Sequence, residues 1–214
     1  MTITKIEHCC LLIETGGVNI LTDPGTYSDA QNTLLGIHAI VITHEHGDHF
    51  HIEHVKEVMR KNPQAAVITN ASVGRLLAAQ GIPHTVVDGR QSVTVNNVPI
   101  EAFDGKHEEI YEDFGQVQNT GYLIDNAFFL PGDSFVVVPD KPVRVLALPV
   151  AGPWCRVGDA IRYAMRVKPA KAFPVHDGMI RPATTGFVTQ VLGTILGKAG
   201  VTYVGMGAAD KKEF

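Results

Sequence analysis

The segment Thr43–His49 constrains this chain more than any other. It reads Thr-His-Glu-His-Gly-Asp-His and directly follows the apolar run Ala39–Ile42. A short, continuous apolar run is typical of a fully buried strand. Polar side chains that follow such a strand lie at the edge of the sheet, where binding and catalytic residues are concentrated. The pattern therefore predicts a metal site at the tip of a buried strand.

The ligand types narrow the choice of metal and require distant partners. Imidazole and carboxylate together suit zinc, iron or manganese. No cysteine lies near the segment in sequence, which argues against a thiolate site. His44 and His46 alone are too few to complete a site, so other ligands must come from elsewhere. The candidates that follow other apolar runs are His107, Asp133 and His176, with His84 as a rival for His107.

The composition fits an ordinary folded protein. The chain has 214 residues, of which 45% are hydrophobic and 19% charged, and we expect one domain over residues 1–214. The net charge of −4 gives no reason to expect a nucleic-acid partner. Three cysteines, two of them adjacent, do not make a disulfide framework. Without a membrane-length apolar run or a signal-peptide pattern, the expected location is the cytoplasm, away from membranes.

Strand-like and helix-like segments recur in two similar halves. The predicted strands cover residues 3–6, 9–14, 18–22, 39–43, 66–69, 85–87, 92–95, 98–103, 121–124, 128–130, 143–148, 172–175 and 201–204. The predicted helices run from Ile52 to the Asn62-Pro63 stop and over residues 72–80, 157–167 and 186–198. Strands followed by strand–helix units in each half predict two packed sheets with helices on their outer faces.

These motifs resemble those of the metallo-β-lactamase-fold hydrolases. The resemblance rests on "THEHGDH", then His107, "PGDS" and "PVHD" in that order, and it covers nearly the whole chain. The stretches "ILTDPG" and "IEHCCLLIE" are most similar to the branch of ascorbate-phosphate-lactonase-like and uncharacterised metal-dependent hydrolases. The resemblance implies an α/β fold, an αββα sandwich of two mixed sheets flanked by helices, with a two-metal site along one edge.

The resemblance also implies a role for each ligand. A first metal would bind His44, His46 and His107, and a second would bind Asp48, His49 and His176, with Asp133 bridging the two. Zinc is the expected metal, and manganese and iron are the alternatives. Asp48 would also be catalytic. The implied activity is cleavage of an ester-like bond (lactone, thioester or phosphoester) in a small molecule by a metal-bridged hydroxide.

Other polar residues have two interpretations each. Asp23, at a strand tip, either holds a metal-bound imidazole by its second nitrogen or caps the Pro-Gly turn behind it. His8 either contacts substrate, since related sequences carry a histidine in a similar opening segment, or is structural. We expect His51 and His54 on a solvated helix face and His38 at the surface.

Two alternative functions stay open, a nucleic-acid phosphodiesterase of the same fold and a non-hydrolytic metal or redox protein. The loop between His107 and Gly121 carries four acidic residues, which argues against a polyanion at the rim. We interpret the basic residues over 156–168 as a solvated helix face. Trp154 either walls the site or packs in the core or an interface. The expected partner is a small-molecule substrate, and homo-oligomerisation stays open.

Overall fold

Fourteen strands form two seven-stranded sheets in the computed structural model, which describes residues 1–214. The first sheet contains β1 (Thr2–Glu7), β2 (Cys10–Thr15), β3 (Val18–Thr22), β4 (Ala39–Ile42), β5 (Ala66–Thr69), β6 (Thr85–Val86) and β14 (Lys211–Glu213). The second contains β7 (Ser92–Val95), β8 (Val98–Lys106), β9 (Gln118–Ile124), β10 (Phe128–Leu130), β11 (Val145–Pro149), β12 (Lys171–Val175) and β13 (Thr202–Tyr203). The strand orders are β14-β1-β2-β3-β4-β5-β6 and β13-β12-β11-β10-β9-β8-β7.

Both sheets are mixed in the same way. In the first, β14, β1, β2 and β3 pair antiparallel, and β3 to β6 pair parallel. In the second, β7 to β10 pair antiparallel, and β10 to β13 pair parallel. Each sheet thus has one antiparallel half and one parallel half whose strands all end at the same edge.

Four helices cover the outer faces of the sheets: α1 (Ile52–Lys61), α2 (Ala71–Ala79), α3 (Val157–Val167) and α4 (Pro182–Lys198), with a short 3₁₀ turn at Ala30–Thr33. One apolar cluster joins the two sheets through residues such as Ile13, Tyr122 and Phe173. A second lies between the second sheet and α3 and α4, and a third between the first sheet and α1 and α2. This confirms the predicted αββα sandwich. None of the helices has the length and apolar character needed to cross a bilayer.

The parallel strands explain where the predicted site residues meet. Asp23 follows β3, His44 lies two residues after the end of β4, and His176 follows β12. Asp133 follows β10 after a Pro-Gly turn. Because ligands of such sheets bind outside the carboxyl ends of the strands, these four residues reach one edge of the sandwich.

The sequence predicted residues 201–204 as the last strand, but the structure contains one more strand after it. A further strand, β14, pairs antiparallel with β1, and Lys212 lies opposite Ile3. All three residues of β14 are exposed and charged, so no apolar pattern marks them as a strand. Charge on an edge strand also discourages pairing with another chain.

Candidate metal centre

Seven predicted ligands meet at this edge in two groups. The first contains His44, His46 and His107, and the second contains Asp48, His49 and His176 together with His8; within each group the ligand atoms lie within 4.8 Å of one another. Asp133 faces both groups. Its Oδ2 is 3.3 Å from His107 Nε2 and 3.0 Å from His176 Nε2. The arrangement is a pair of adjoining ligand groups that share one carboxylate.

Hydrogen bonds behind two of the rings determine which nitrogen faces this centre. Asp23 Oδ2 accepts a hydrogen bond from His49 Nδ1 at 2.9 Å. The same oxygen accepts from Thr43 Oγ1 at 2.9 Å, so that hydroxyl accepts in turn from His44 Nδ1 at 3.0 Å. Since each Nδ1 is engaged in this way, Nε2 is the nitrogen that each ring turns toward the centre. One buried aspartate therefore orients two imidazoles, one directly and one through Thr43.

The third ring is oriented by the backbone. His107 Nδ1 donates to the carbonyl oxygen of Glu108 at 2.6 Å, which leaves Nε2 as the acceptor. His107 follows directly on β8, because that strand runs to Lys106, three residues beyond the predicted end. The rival candidate, His84, lies outside both ligand groups and bonds through Nδ1 to the carbonyl oxygen of Ile82 at 2.9 Å.

The atoms that face the centre have no hydrogen-bond partners. They are the Nε2 atoms of His44, His49, His107 and His176 and the Oδ1 atom of Asp133. All five residues are buried, with exposed fractions of 3% or less. Buried polar atoms without partners are rare in folded proteins and demand an explanation. Bound divalent cations would supply one, since imidazole and carboxylate are ligands that zinc, manganese and iron accept.

The two ligand groups differ in their electrostatics. Burial lowers the pKa of His44 well below its usual value and also lowers that of His46. Burial acts in the same direction on His49 and His176, but Asp133 outweighs it and raises the pKa of both rings well above the usual value. Burial would raise the pKa of Asp133, but His176 and His49 hold it well below its usual value.

His8 completes the surroundings of Asp48. Its Nδ1 accepts a hydrogen bond from the Gly178 amide at 3.1 Å, so its Nε2 carries the proton and donates to Asp48 Oδ2 at 3.2 Å. Both ring nitrogens of His8 are therefore engaged. Although burial would raise the pKa of Asp48, the neighbouring rings of His176 and His8 lower it far below the usual value.

Three non-glycine residues at the centre have left-handed backbone conformations. The φ angles are +51° at His8, +40° at Asp23 and +58° at His176. Sparsely populated backbone conformations cost on the order of 1–3 kcal/mol each and cluster at functional sites. Gly25 shows how tightly the loops meet, because a Cβ atom there would lie 2.0 Å from the Asp48 carbonyl oxygen. The backbone around the centre is thus shaped by close packing of several loops.

One sulfur atom and one side-chain amide lie at the centre without a motif in the sequence that predicts them. Cys9 Sγ lies within 4.8 Å of ligand atoms of His49 and Asp133, so a thiol borders the site although no cysteine is near the "THEHGDH" segment in sequence. Cys9 and the "THEHGDH" segment are distant in sequence, and the only sequence signal for their proximity is that Cys9 is adjacent to His8. Asn119 Oδ1 accepts from the Asp133 amide at 2.9 Å and its Nδ2 donates to the Pro131 carbonyl at 2.8 Å. That buried amide holds the turn that carries Asp133.

The remaining histidines differ from prediction in part. His54 is half-buried, and its Nδ1 lies 2.9 Å from the Gly25 carbonyl oxygen, so a solvated position is wrong for it. The loop after β3 covers this part of α1. His51 is also half-buried, and its ring lies 4.4 Å from that of His54. His38 is half-buried too and accepts from the Asn19 amide at 3.0 Å.

Of the two interpretations of Asp23, the structure shows the carboxylate bonded to Thr43 and His49 rather than to the Pro-Gly turn. Trp154 lies at the centre, with ring centroids 5.6 Å from that of His107 and 5.3 Å from that of His176. It therefore walls the site on the side where the two ligand groups adjoin.

Comparisons with known proteins agree with this architecture. Residues 2–176 match the family described as the beta-lactamase superfamily domain. Protein Rv0786c of Mycobacterium tuberculosis is 31% identical over 87% of this chain and 88% of its own length. A UPF0173 metal-dependent hydrolase of Flavobacterium johnsoniae is 35% identical over 38% of this chain and 37% of its own. The structure of Igni18, a metallo hydrolase of Ignicoccus hospitalis, superposes with a TM-score of 0.78 at 19% identity, over 100% of this chain and 98% of that one. The chain belongs to the β-lactamase superfamily, and its two-sheet sandwich is the metallo-β-lactamase fold.

Proposed function

We propose that this protein uses two divalent metal ions, zinc first among them, to hydrolyse an ester-like bond in a small molecule. The observation that carries the proposal is the position of Asp133, whose one carboxylate faces two groups of ligands with unpartnered Nε2 atoms. Seven ligands are more than one four- or five-coordinate ion uses.

Each ion would have its own protein ligands. His44, His46 and His107 would hold the first, and Asp48, His49 and His176 would hold the second, with Asp133 shared. When bound, two divalent cations at such a centre lower the pKa of a shared water and polarise the bond that the water attacks. Asp23 and Thr43 keep the rings of His44 and His49 in the orientation that this binding needs.

Asp48 is the proposed catalytic carboxylate among these ligands. Its side chain is 17% exposed, whereas that of Asp133 is 2% exposed, so of the two carboxylates Asp48 is the more accessible from the cleft. His8 holds Oδ2 of Asp48 in place. A carboxylate that is fixed by one oxygen and borders the cleft can orient a water and exchange a proton with the substrate side.

The surroundings of the centre favour a small molecule over a nucleic acid. A second cleft adjoins the centre at His107, and its lining includes Glu108, Glu109, Glu112 and Asp113. These carboxylates would repel a phosphate backbone that approached along this side.

The experiment is a substrate panel with protein loaded separately with Zn²⁺, Mn²⁺ or Fe²⁺. The panel contains an aryl ester, a lactone, a thioester, bis(4-nitrophenyl) phosphate and single-stranded RNA. We expect turnover of at least one small-molecule ester, its loss in Asp133→Asn, and no degradation of RNA. Degradation of RNA without turnover of any small molecule would favour the nucleic-acid phosphodiesterase.

A further inference from the structure

The cleft above the metal centre, here called the metal-site cleft, has a polar floor and an apolar wall. Its volume is about 350 Å³ and its floor includes His46, Asp48, His107, Asp133 and His176. Its apolar wall consists of Ile110, Phe114, Pro153, Trp154 and Met179. This volume lies at the small end of the range for ligand sites, about 300–1,000 Å³. The cleft therefore suits a small molecule with one polar, reactive end.

Apart from the histidines of its floor, the metal-site cleft is lined by no residue that can carry a positive charge. Neither a lysine nor an arginine is among the lining residues. Moving an ionised carboxylate against such a wall removes its water without supplying a partner, which is costly. The adjoining cleft carries four carboxylates, Glu109, Glu112 and Asp113 among them, against one lysine, Lys106, so its net charge adds repulsion of the same sign. The wall thus selects against an anionic group at the end of the substrate remote from the metals.

Two side chains of the apolar wall are largely exposed to water and could be covered by a substrate. Phe114 is 72% exposed and Met179 is 47% exposed, although both border the cleft. The indole ring of Trp154, by contrast, is fixed between Phe135 and the rings of His107 and His176. A substrate with an apolar body would remove Phe114 and Met179 from water while its reactive group rests on the floor.

From these observations we infer that the substrate is an uncharged ester, lactone or thioester whose apolar acyl body lies against Phe114, Trp154 and Met179. The inference rests on the proposed function and narrows it to neutral substrates. Phe114 then determines specificity, because its uncharged ring offers no partner to an anionic group on the substrate.

Two esters that differ only in a terminal charge test the inference with the metal-loaded protein. They are 4-nitrophenyl hexanoate and the mono-4-nitrophenyl ester of adipic acid. We expect kcat/KM for the hexanoate to be higher by about 100-fold, since the adipate carboxylate would be desolvated without a partner. We expect Phe114→Lys to reduce this ratio at least tenfold by supplying that partner.

Tyr111→Lys is the matched control, because Tyr111 lies on the same loop and is 67% exposed but does not line the metal-site cleft. It should leave the ratio unchanged. Equal turnover of the two esters, or an equal effect of the two lysine variants, would overturn the inference and leave the proposed function intact.

A binding measurement separates the two proposals if neither ester is cleaved. Trp154 is the sole tryptophan, so its fluorescence reports occupancy of the metal-site cleft without turnover. Hexanohydroxamic acid should bind the metal-loaded protein at least tenfold more tightly than adipic acid monohydroxamate, because the hydroxamate of each chelates the metals and only the remote end differs in charge. Phe114→Lys should reduce the difference. Tighter binding of the monohydroxamate to the unmodified protein would refute the neutral substrate, whatever the panel of esters shows.

Discussion

His8 donates a hydrogen bond to Asp48 across the seam between the start of the chain and the "THEHGDH" segment. The two atoms, Nε2 and Oδ2, are 3.2 Å apart, and the residues are 40 positions apart in sequence. Because the Gly178 amide occupies the other nitrogen, this tautomer is the one that keeps both hydrogen bonds. His8 thus acts on the proposed second metal through Asp48, as a positioning residue.

Replacing His8 by alanine should weaken the second half of the centre selectively. Losing a hydrogen-bond partner of a metal ligand costs about 10–100-fold in metal affinity or activity. We expect His8→Ala to lower the affinity for the second metal about 10–100-fold while the first metal stays bound. Metal titration measures the affinity, and kcat should fall with it. His38→Ala is the control, since His38 bonds to Asn19 away from the centre. Equal loss of both metals would contradict this role.

Metal content tests the number of ions. We expect close to two equivalents per chain at saturation, measured by elemental analysis, because seven ligands exceed what one ion needs. His46→Ala should lose metal and activity but remain folded by circular dichroism, since His46 lies in a loop and outside the three apolar clusters. His84→Ala, outside both ligand groups, should keep its metal. A single tight ion in the unmodified protein would contradict the two-metal assignment.

The site was predictable from the sequence where strand and ligand are adjacent. His44, Asp133 and His176 follow apolar strands closely, and parallel strands bring such tips to one edge. Cys9 was not predictable in the same way, because its approach to His49 depends on how separate loops pack. β14 was missed for a different reason, since its pairing with β1 uses only backbone groups and charged side chains. Local patterns thus identify strand tips, whereas contacts between loops require the folded structure.

Lys5 ties the two sheets together beside the centre. Its buried Nζ lies 2.5 Å from Asp177 Oδ1, 3.0 Å from the Pro174 carbonyl and 3.3 Å from the Met206 carbonyl. Lys5→Met should lower the free energy of unfolding by about 2 kcal/mol, because it leaves the partly buried Asp177 carboxylate without its charged hydrogen-bond partner. Urea unfolding measures this. Lys56→Met, which breaks an exposed pair with Glu53, should cost less than about 1 kcal/mol.

Cys155 should resist alkylation in the folded protein. Burial raises its pKa to about 12, so the thiol persists and the reactive thiolate is scarce below that pH. At pH 8 we expect iodoacetamide to label Cys155 about a thousandfold more slowly than an ordinary thiol of pKa near 8.5. The rate should rise about tenfold per pH unit between pH 8 and 10, as peptide mass spectrometry can follow. The unfolded chain in urea is the control, and rapid labelling of the folded protein would disprove the protection.

Asp48 best separates a two-metal hydrolase from a cluster of histidines that binds one ion. Asp48→Asn keeps the shape of the side chain but removes the negative charge that faces His176 and His8. We expect the variant to keep the first metal at His44, His46 and His107, to bind the second more weakly, and to lose turnover by more than the ~10–100-fold of an outer residue.

The measurement combines metal titration with kcat on whichever ester the panel identifies. Asp29→Asn is the matched control, because Asp29 is exposed and its side chain caps nothing at the 3₁₀ turn that follows it. Retention of both metals together with near-normal turnover in Asp48→Asn would mean that this carboxylate neither holds an ion nor takes part in the reaction. A loss of turnover with both metals retained would instead assign Asp48 to the chemistry alone, since the second ion would then be held by His49, His176 and Asp133 without it.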